Sequence, residues 1–206
     1  MNILFIHEND WIKKVIYEPH HLSEIFSMKG HNVFAIDCKE PNSSGVINNL
    51  KTQIINNYNK VYDNASITLI HPPSLVIKGL NRLTNFLTCK NVIRDTVERN
   101  HIDIIFLYGV ATNGLQALSV ANEFKIPIVF RGLDVSHEFV DIPLLKQITK
   151  IIEKNILSNV TKVYSCTPGL QRYSFQMGTQ KENSEYFPLG INTNIFKPMN
   201  KDEKLA

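Results

Sequence analysis

The chain has 206 residues, 43% of them hydrophobic and 20% charged, a balance that buries a core and argues against disorder. Lysines and arginines exceed acids by 22 to 19, and the formal charge of +3 is too small for a nucleic-acid footprint, so no nucleic-acid partner is expected. On length alone, one large domain with at most a short appendage is expected.

The N-terminus, Met1 to Glu8, has no basic lead and only a short apolar run before His7, so it does not read as a secretion signal. No stretch approaches 18 uninterrupted apolar residues, the length a bilayer-spanning helix needs. Cys38, Cys89 and Cys166 are far apart and form no CxxC pair. They fit a reducing, cytoplasmic compartment, and neither a disulfide framework nor a metal site is expected.

Apolar runs of strand length fall at 3–6, 33–36, 67–70, 102–107, 126–130 and 162–165, with a weaker one at 185–188. Most are continuous rather than alternating, as strands buried on both faces of a parallel sheet read. Helical patterns lie between them. The first starts near Pro19 and is stopped by Gly30; the others fit 75–99, 114–124, 143–158 and 168–177. After Pro143, Leu145, Ile148, Ile152 and Ile156 mark one face, while Lys146, Lys150 and Lys154 mark another. Residues 38–62, rich in Asn and Ser, read as a loop followed by a poor helix. This alternation predicts an α/β fold: a doubly wound, mostly parallel, Rossmann-like sheet in three αβα layers.

In such a sheet ligands bind beyond the carboxyl ends of the strands, near the switch in strand order. Three segments there carry candidate groups. Arg131, Asp134 and His137 place a cation, a carboxylate and an imidazole within seven residues at a strand end, able to hold sugar hydroxyls or a phosphate or to handle a proton. The plain structural alternative is that Arg131 pairs with Asp134 and His137 caps the next helix. His7 and Glu8 follow the first strand, and Gly109 and Thr112 follow the fourth. The dinucleotide and P-loop glycine motifs are missing, as are a G-x-S-x-G elbow and any Asp-x-Asp pair, so no cofactor or metal is expected. His20 and His21 point about 100° apart on a helix and cannot share a metal.

The helix at 75–99 carries Lys78, Arg82, Lys90 and Arg94, with Leu80, Leu83 and Leu87 adjoining. A weak contact with an anionic membrane surface, peripheral to an otherwise cytoplasmic protein, is one reading; a solvated basic edge is the other.

The last third carries a resemblance. Val163 to Thr167, a helix, Met177-Gly178, then Tyr186-Phe187-Pro188-Leu189-Gly190-Ile191-Asn192 and Phe196-Lys197-Pro198 follow in the order found at the end of the N-terminal domain of family-4 GT-B glycosyltransferases. Residues 20–33 and the stretch from Asp103 to Val129 resemble the same family, so the likeness covers most of the chain. It departs from the family in three ways. No glycine pair follows the first strand, Leu189 and Asn192 stand where Asn and Asp are usual, and Arg131 to Asp134 occupies the place of a frequent histidine. The family's E-x7-E pair is missing as well, since no two glutamates lie eight positions apart.

The resemblance implies that residues 1–198 form the acceptor-binding, N-terminal domain of a retaining glycosyltransferase, with 199–206 starting an interdomain linker. The donor-binding C-terminal domain would then be absent. It implies a sugar, lipid or glycan acceptor and a nucleotide-sugar donor held mainly by the other domain. Arg131, Asp134 and His137 would contact the acceptor or handle its proton, Asp134 and His137 as the catalytic pair, with His7, Glu8, Gly109 and Thr112 in support. The rival from another class is a non-catalytic module of the same fold that binds a glycan, lipid or protein; an unrelated nucleotide-binding domain is a third reading.

Overall fold

Strand β1 (Asn2–Ile6) sends alternate side chains into two cores. Leu4 and Ile6 join a cluster with Ile93 and Val97 on one face, while Ile3 and Phe5 join Trp11, Val33 and Leu69 on the other. A strand covered on both faces has no polar side to show, and that is why its sequence is a continuous apolar run. The computed structural model describes residues 1–40, 48–49, 51–75, 80–110, 112–193 and 196–198.

The remaining elements follow in chain order: α1 (Glu18–Met28), β2 (Asn32–Ile36), β3 (Asn48–Asn49), β4 (Gln53–Tyr58), β5 (Ile67–His71), β6 (Ser74–Leu75) and α2 (Leu80–Asn100). Then come β7 (Ile104–Leu107), α3 (Gly114–Phe124), β8 (Ile128–Gly132), α4 (Pro143–Asn159), β9 (Lys162–Ser165), α5 (Pro168–Gln176) and β10 (Ser184–Tyr186). The main sheet has eight strands in the order β10-β9-β8-β7-β1-β2-β5-β4, and every pairing is parallel except β4 with β5. With helices on its faces, this is the expected doubly wound, three-layer fold. The order runs outward in both directions from β1, so the crossovers after β1 and β7 leave on opposite sides and open a crevice at their carboxyl ends.

Local signals set several boundaries. Pro19 lies in the first turn of α1, and the chain leaves that helix through Gly30 at φ +87, a conformation costly for a side chain. The Thr167 hydroxyl accepts the Leu170 amide and caps α5, which starts at Pro168.

Two expectations are corrected. The 38–62 region holds no helix among its described residues; it holds β4, an exposed edge strand antiparallel to β5. Its sequence, Gln-Ile-Ile-Asn-Asn-Tyr, lacks strand alternation because an edge strand with little buried surface needs none, and its register slips between Ile55 and Tyr58. The turn that follows is fastened by Glu24 of α1, whose fully buried carboxylate accepts the amides of Lys60, Val61 and Tyr62. Leu75, expected to begin a helix, instead pairs with Asn48 in the small β3–β6 ladder.

Candidate functional site

A groove of about 1200 Å³ runs across the carboxyl ends of β1, β7 and β8, at the switch point of the sheet. Of the residues expected at a site, His7, Glu8, Gly109, Thr112, Arg131 and Asp134 all line it. His137 does not: it lies behind the wall, buried against α4.

Glu8 is the most tightly defined of these groups. Its carboxylate accepts the Thr112 amide at 2.5 Å, and its other oxygen lies 3.9 Å from the Arg82 guanidinium. Burial pushes this carboxyl above the usual range, opposed by the backbone amides of Thr112 and Asn113 and by Arg82. Gly109 makes room for it. A Cβ there would stand 2.3 Å from Glu8 Cγ, so the glycine is required by a close approach.

His7 is held as a neutral donor. Its Nδ1 accepts the Asn9 amide, so Nε2 carries the proton and faces the Tyr17 hydroxyl. Burial, with His20 and Lys14 nearby, pulls the His7 pKa down to about 3. The Tyr17 hydroxyl lines the groove, its pKa raised to about 12 by burial. The loop that presents His7 is folded by two aspartates. Asp10 accepts the amides of Ile12, Lys13 and Glu40, and Asp37 accepts that of Trp11 while pairing with His71 at 2.5 Å.

Arg131 pairs with neither Asp134 nor a surface group. Its Nε and Nη2 donate to the two oxygens of Glu18 at 2.6 and 2.7 Å, and Nη1 donates to the Phe187 carbonyl at 2.7 Å. Tyr108 donates a further bond to Glu18 at 3.0 Å. Asp134, by contrast, is exposed on the groove wall. His137 Nδ1 lies 2.8 Å from Glu153, a fully buried carboxylate of α4 that also accepts the Ser136 amide. The Tyr173 hydroxyl completes this cluster at 3.2 Å.

Sequence reasoning missed Tyr17, Glu18, Glu153 and Tyr173, which reach the site from the N-cap of α1 and from helices; Tyr108 directly follows β7 in a loop the sequence does point to, but its own role was not singled out. Sequence reasoning also missed the walls. Leu83 and Phe86 of α2 form one side; Phe139, Ile142, Leu145 and Ile148 form the other. Only Thr149, Glu153, Ile156 and Leu157 of α4 are buried, so the apolar residues of its first half face the groove and solvent. The basic ladder of α2 is also reduced. Lys78 lies outside the described residues, Arg94 is paired with Glu123 and Arg82 leans on Glu8, leaving Lys90 as the remaining exposed cation of the ladder.

Chemically, the lining offers the carboxylates of Glu8 and Asp134 and the hydroxyl of Tyr17, groups suited to sugar or alcohol hydroxyls. Among the described residues no group of three or more His, Cys, Asp or Glu is placed to hold a metal ion.

No protein-family model and no curated protein sequence matches the chain. Solved structures do. Anabaena HepE, solved in complex with UDP and glucose, superposes with a TM-score of 0.58 at 12% identity, over 97% of this chain and 47% of that one. The shared fold is GT-B-like. CalG4, the calicheamicin glycosyltransferase, superposes with a TM-score of 0.51 at 10% identity, over 98% of this chain and 56% of that one. A UDP-GlcNAc 2-epimerase from Methanocaldococcus jannaschii matches at 0.49 and 11% identity, over 90% and 45%. The chain thus spans about half the length of these GT-B-like neighbours.

Proposed function

We propose that this chain is the acceptor-binding, N-terminal half of a retaining glycosyltransferase, which moves a sugar from a nucleotide-sugar to an acceptor in a cleft completed by a second domain. The observation that carries this reading is the groove at the switch point, roomy enough for a sugar acceptor and lined by Glu8 and Tyr17, with Asp134 exposed on its wall. Glu8 and Asp134 receive acceptor hydroxyls, and the diphosphate charge that develops on the departing donor is stabilised by groups of the other half. Of the solved neighbours of the same fold, one is held in complex with UDP and glucose and another is named a glycosyltransferase, which agrees with a role around sugar nucleotides.

One observation favours the non-catalytic module. Arg131 and His137, two of the three groups first expected to act, are both engaged in internal pairs. Turnover decides between the readings. A protein extended through a second domain of this fold turns over a nucleotide-sugar far faster than this chain alone, and Asp134→Asn and Glu8→Gln slow it. Equal rates for the two lengths, or no turnover by the longer form with any nucleotide-sugar, overturn the proposal. Binding of free UDP to this chain alone with a Kd below about 10 μM supports the nucleotide-binding reading instead.

A further inference from the structure

We propose that Glu8 sets the specificity of the groove. Its carboxylate fills the anion-binding position at the start of α3, so the acceptor is an uncharged hydroxylated compound, and one bearing phosphate or carboxylate is refused. This rests on the acceptor-binding reading above and names the class of acceptor it takes.

A helix that starts at the switch point of a doubly wound sheet points backbone amides and the positive end of its dipole into the crevice, which suits a ligand's phosphate. α3 has that position: it follows β7, and Gly109 and Thr112, just ahead of it, line the groove. In this chain the place is taken. Glu8 Oε1 accepts the Thr112 amide at 2.5 Å, and the amide of Asn113, the N-cap of α3, also favours the charged carboxylate. Arg82 reaches the same group, with Nη1 3.9 Å from Oε2, so the amides and the cation that would receive a phosphate already face an acid. The backbone is shaped around that acid. A Cβ on Gly109 would stand 2.7 Å from Glu8 Cδ, and the Glu8 side chain is only 14% exposed.

The rest of the lining acts in the same direction. Its acids are Glu8, Asp134 and Asp141. Against them stand Lys14, Arg82, which faces Glu8, and Arg131, which faces Glu18 at 2.6 Å. His7 adds no charge, since burial holds its pKa at about 3. A carboxylate accepts a hydrogen bond from a sugar hydroxyl and repels a phosphate, so the same side chain receives one ligand and rejects the other. Repulsion of this kind discriminates without weakening the right partner. Were Glu8 only a cap for α3, a neutral and a phosphorylated sugar would be treated alike.

The test is titration of the full chain with inorganic pyrophosphate, glucose and glucose 6-phosphate, followed through backbone amide chemical shifts. The wild type is expected to ignore pyrophosphate up to about 10 mM and to favour glucose over glucose 6-phosphate. Glu8→Ala exposes the amides of Thr112 and Asn113 and releases Arg82. It should bind pyrophosphate at least about tenfold more tightly, with those two amides shifting, and should favour glucose 6-phosphate over glucose. Adding Arg82→Gln should remove most of that gain. Glu8→Gln keeps the shape and loses the charge, so it should show a smaller gain of the same sign, and it serves if Glu8→Ala does not fold. The proposal is overturned if the wild type binds glucose 6-phosphate as tightly as glucose. It is also overturned if a variant with an unchanged melting curve gains no affinity for either anion. The transferase reading fails on a different result, the lack of turnover by the two-domain protein, and the pyrophosphate titrations need no donor or second domain.

Discussion

Arg131 and Glu18 form a two-pronged ion pair between residues 113 positions apart, with Nε to Oε1 at 2.6 Å and Nη2 to Oε2 at 2.7 Å. It ties the end of β8 to the first turn of α1, and through the Phe187 carbonyl it also holds the segment after β10.

Removing one partner of a buried pair leaves an uncompensated charge, which costs far more than the pair contributes. Glu18→Ala is expected to lower stability by about 3 kcal/mol in urea unfolding, and Glu18→Gln by less, since the amide oxygen still accepts one bond. Amides after Phe187 should exchange faster in both variants. A loss below about 0.5 kcal/mol for Glu18→Ala would show that solvent already screens the pair.

How much of this was legible beforehand follows from the range of each interaction. The parallel strands announced themselves because burial on both faces leaves a run of apolar residues, and Gly30 and Pro168 marked helix ends through backbone rules that act locally. Five of the seven expected site residues are supplied by loops whose position follows from topology alone: His7, Glu8, Gly109, Thr112 and Asp134. The partners of Arg131 and His137 were not legible. Glu18 lies 113 residues from Arg131, and Glu153 sits on a helix face that the spacing of apolar residues gave no reason to bury. The apolar stripe of α4 misled for a related reason: half of it lines a groove, and periodicity reports an apolar face without saying what covers it.

Gly109 and Glu8 make a second testable pair. Gly109→Ala would put a methyl group 2.3 Å from Glu8 Cγ and 2.7 Å from Cδ, so the carboxylate must swing away from the Thr112 amide. We expect a loss of about 1–3 kcal/mol in chemical denaturation. In a Glu8→Ala background the methyl group has space, so the two changes should be non-additive by at least about 1 kcal/mol in a double-mutant cycle. Additive costs would mean that the backbone, rather than Glu8, sets the requirement for glycine.

The histidines near β1 predict how stability depends on pH. Burial holds His7 at a pKa of about 3 and His20 at about 4, against 6.5 for a free imidazole. Both folded-state values are depressed, so below pH 6.5 the unfolded chain binds protons that the folded chain refuses. Their contribution is therefore intact above pH 6.5 and is lost as the pH falls toward 4 and then 3, by about 2 kcal/mol for each histidine between pH 6.5 and 5. Glu8 acts in the opposite sense, since its pKa is raised and stability falls as the pH climbs above 4.5. Urea midpoints at pH 7 and pH 5 for the wild type and for His20→Gln separate the two effects. The variant should show a shallower acid loss, and an identical slope would mean that His20 is charged in the folded protein.

The last prediction concerns His137, whose position separates a structural role from a chemical one. Glu153 accepts His137 Nδ1 at 2.8 Å and the Ser136 amide at 3.1 Å, so one buried carboxylate fastens the turn at Ser136–Phe139 that forms part of the groove wall. Glu153→Ala leaves these donors unsatisfied and is expected to cost about 2–4 kcal/mol, with faster amide exchange confined first to residues 135–140. His137→Asn should cost less, because its side-chain amide can still donate toward Glu153. If His137 acts only by holding the wall, both variants weaken acceptor binding in proportion to the loosening of that turn, and His137→Asn keeps most of the turnover of a two-domain protein. A fall of a hundredfold or more in turnover for His137→Asn, with stability and the exchange of residues 135–140 unchanged, would put the imidazole in the chemistry instead.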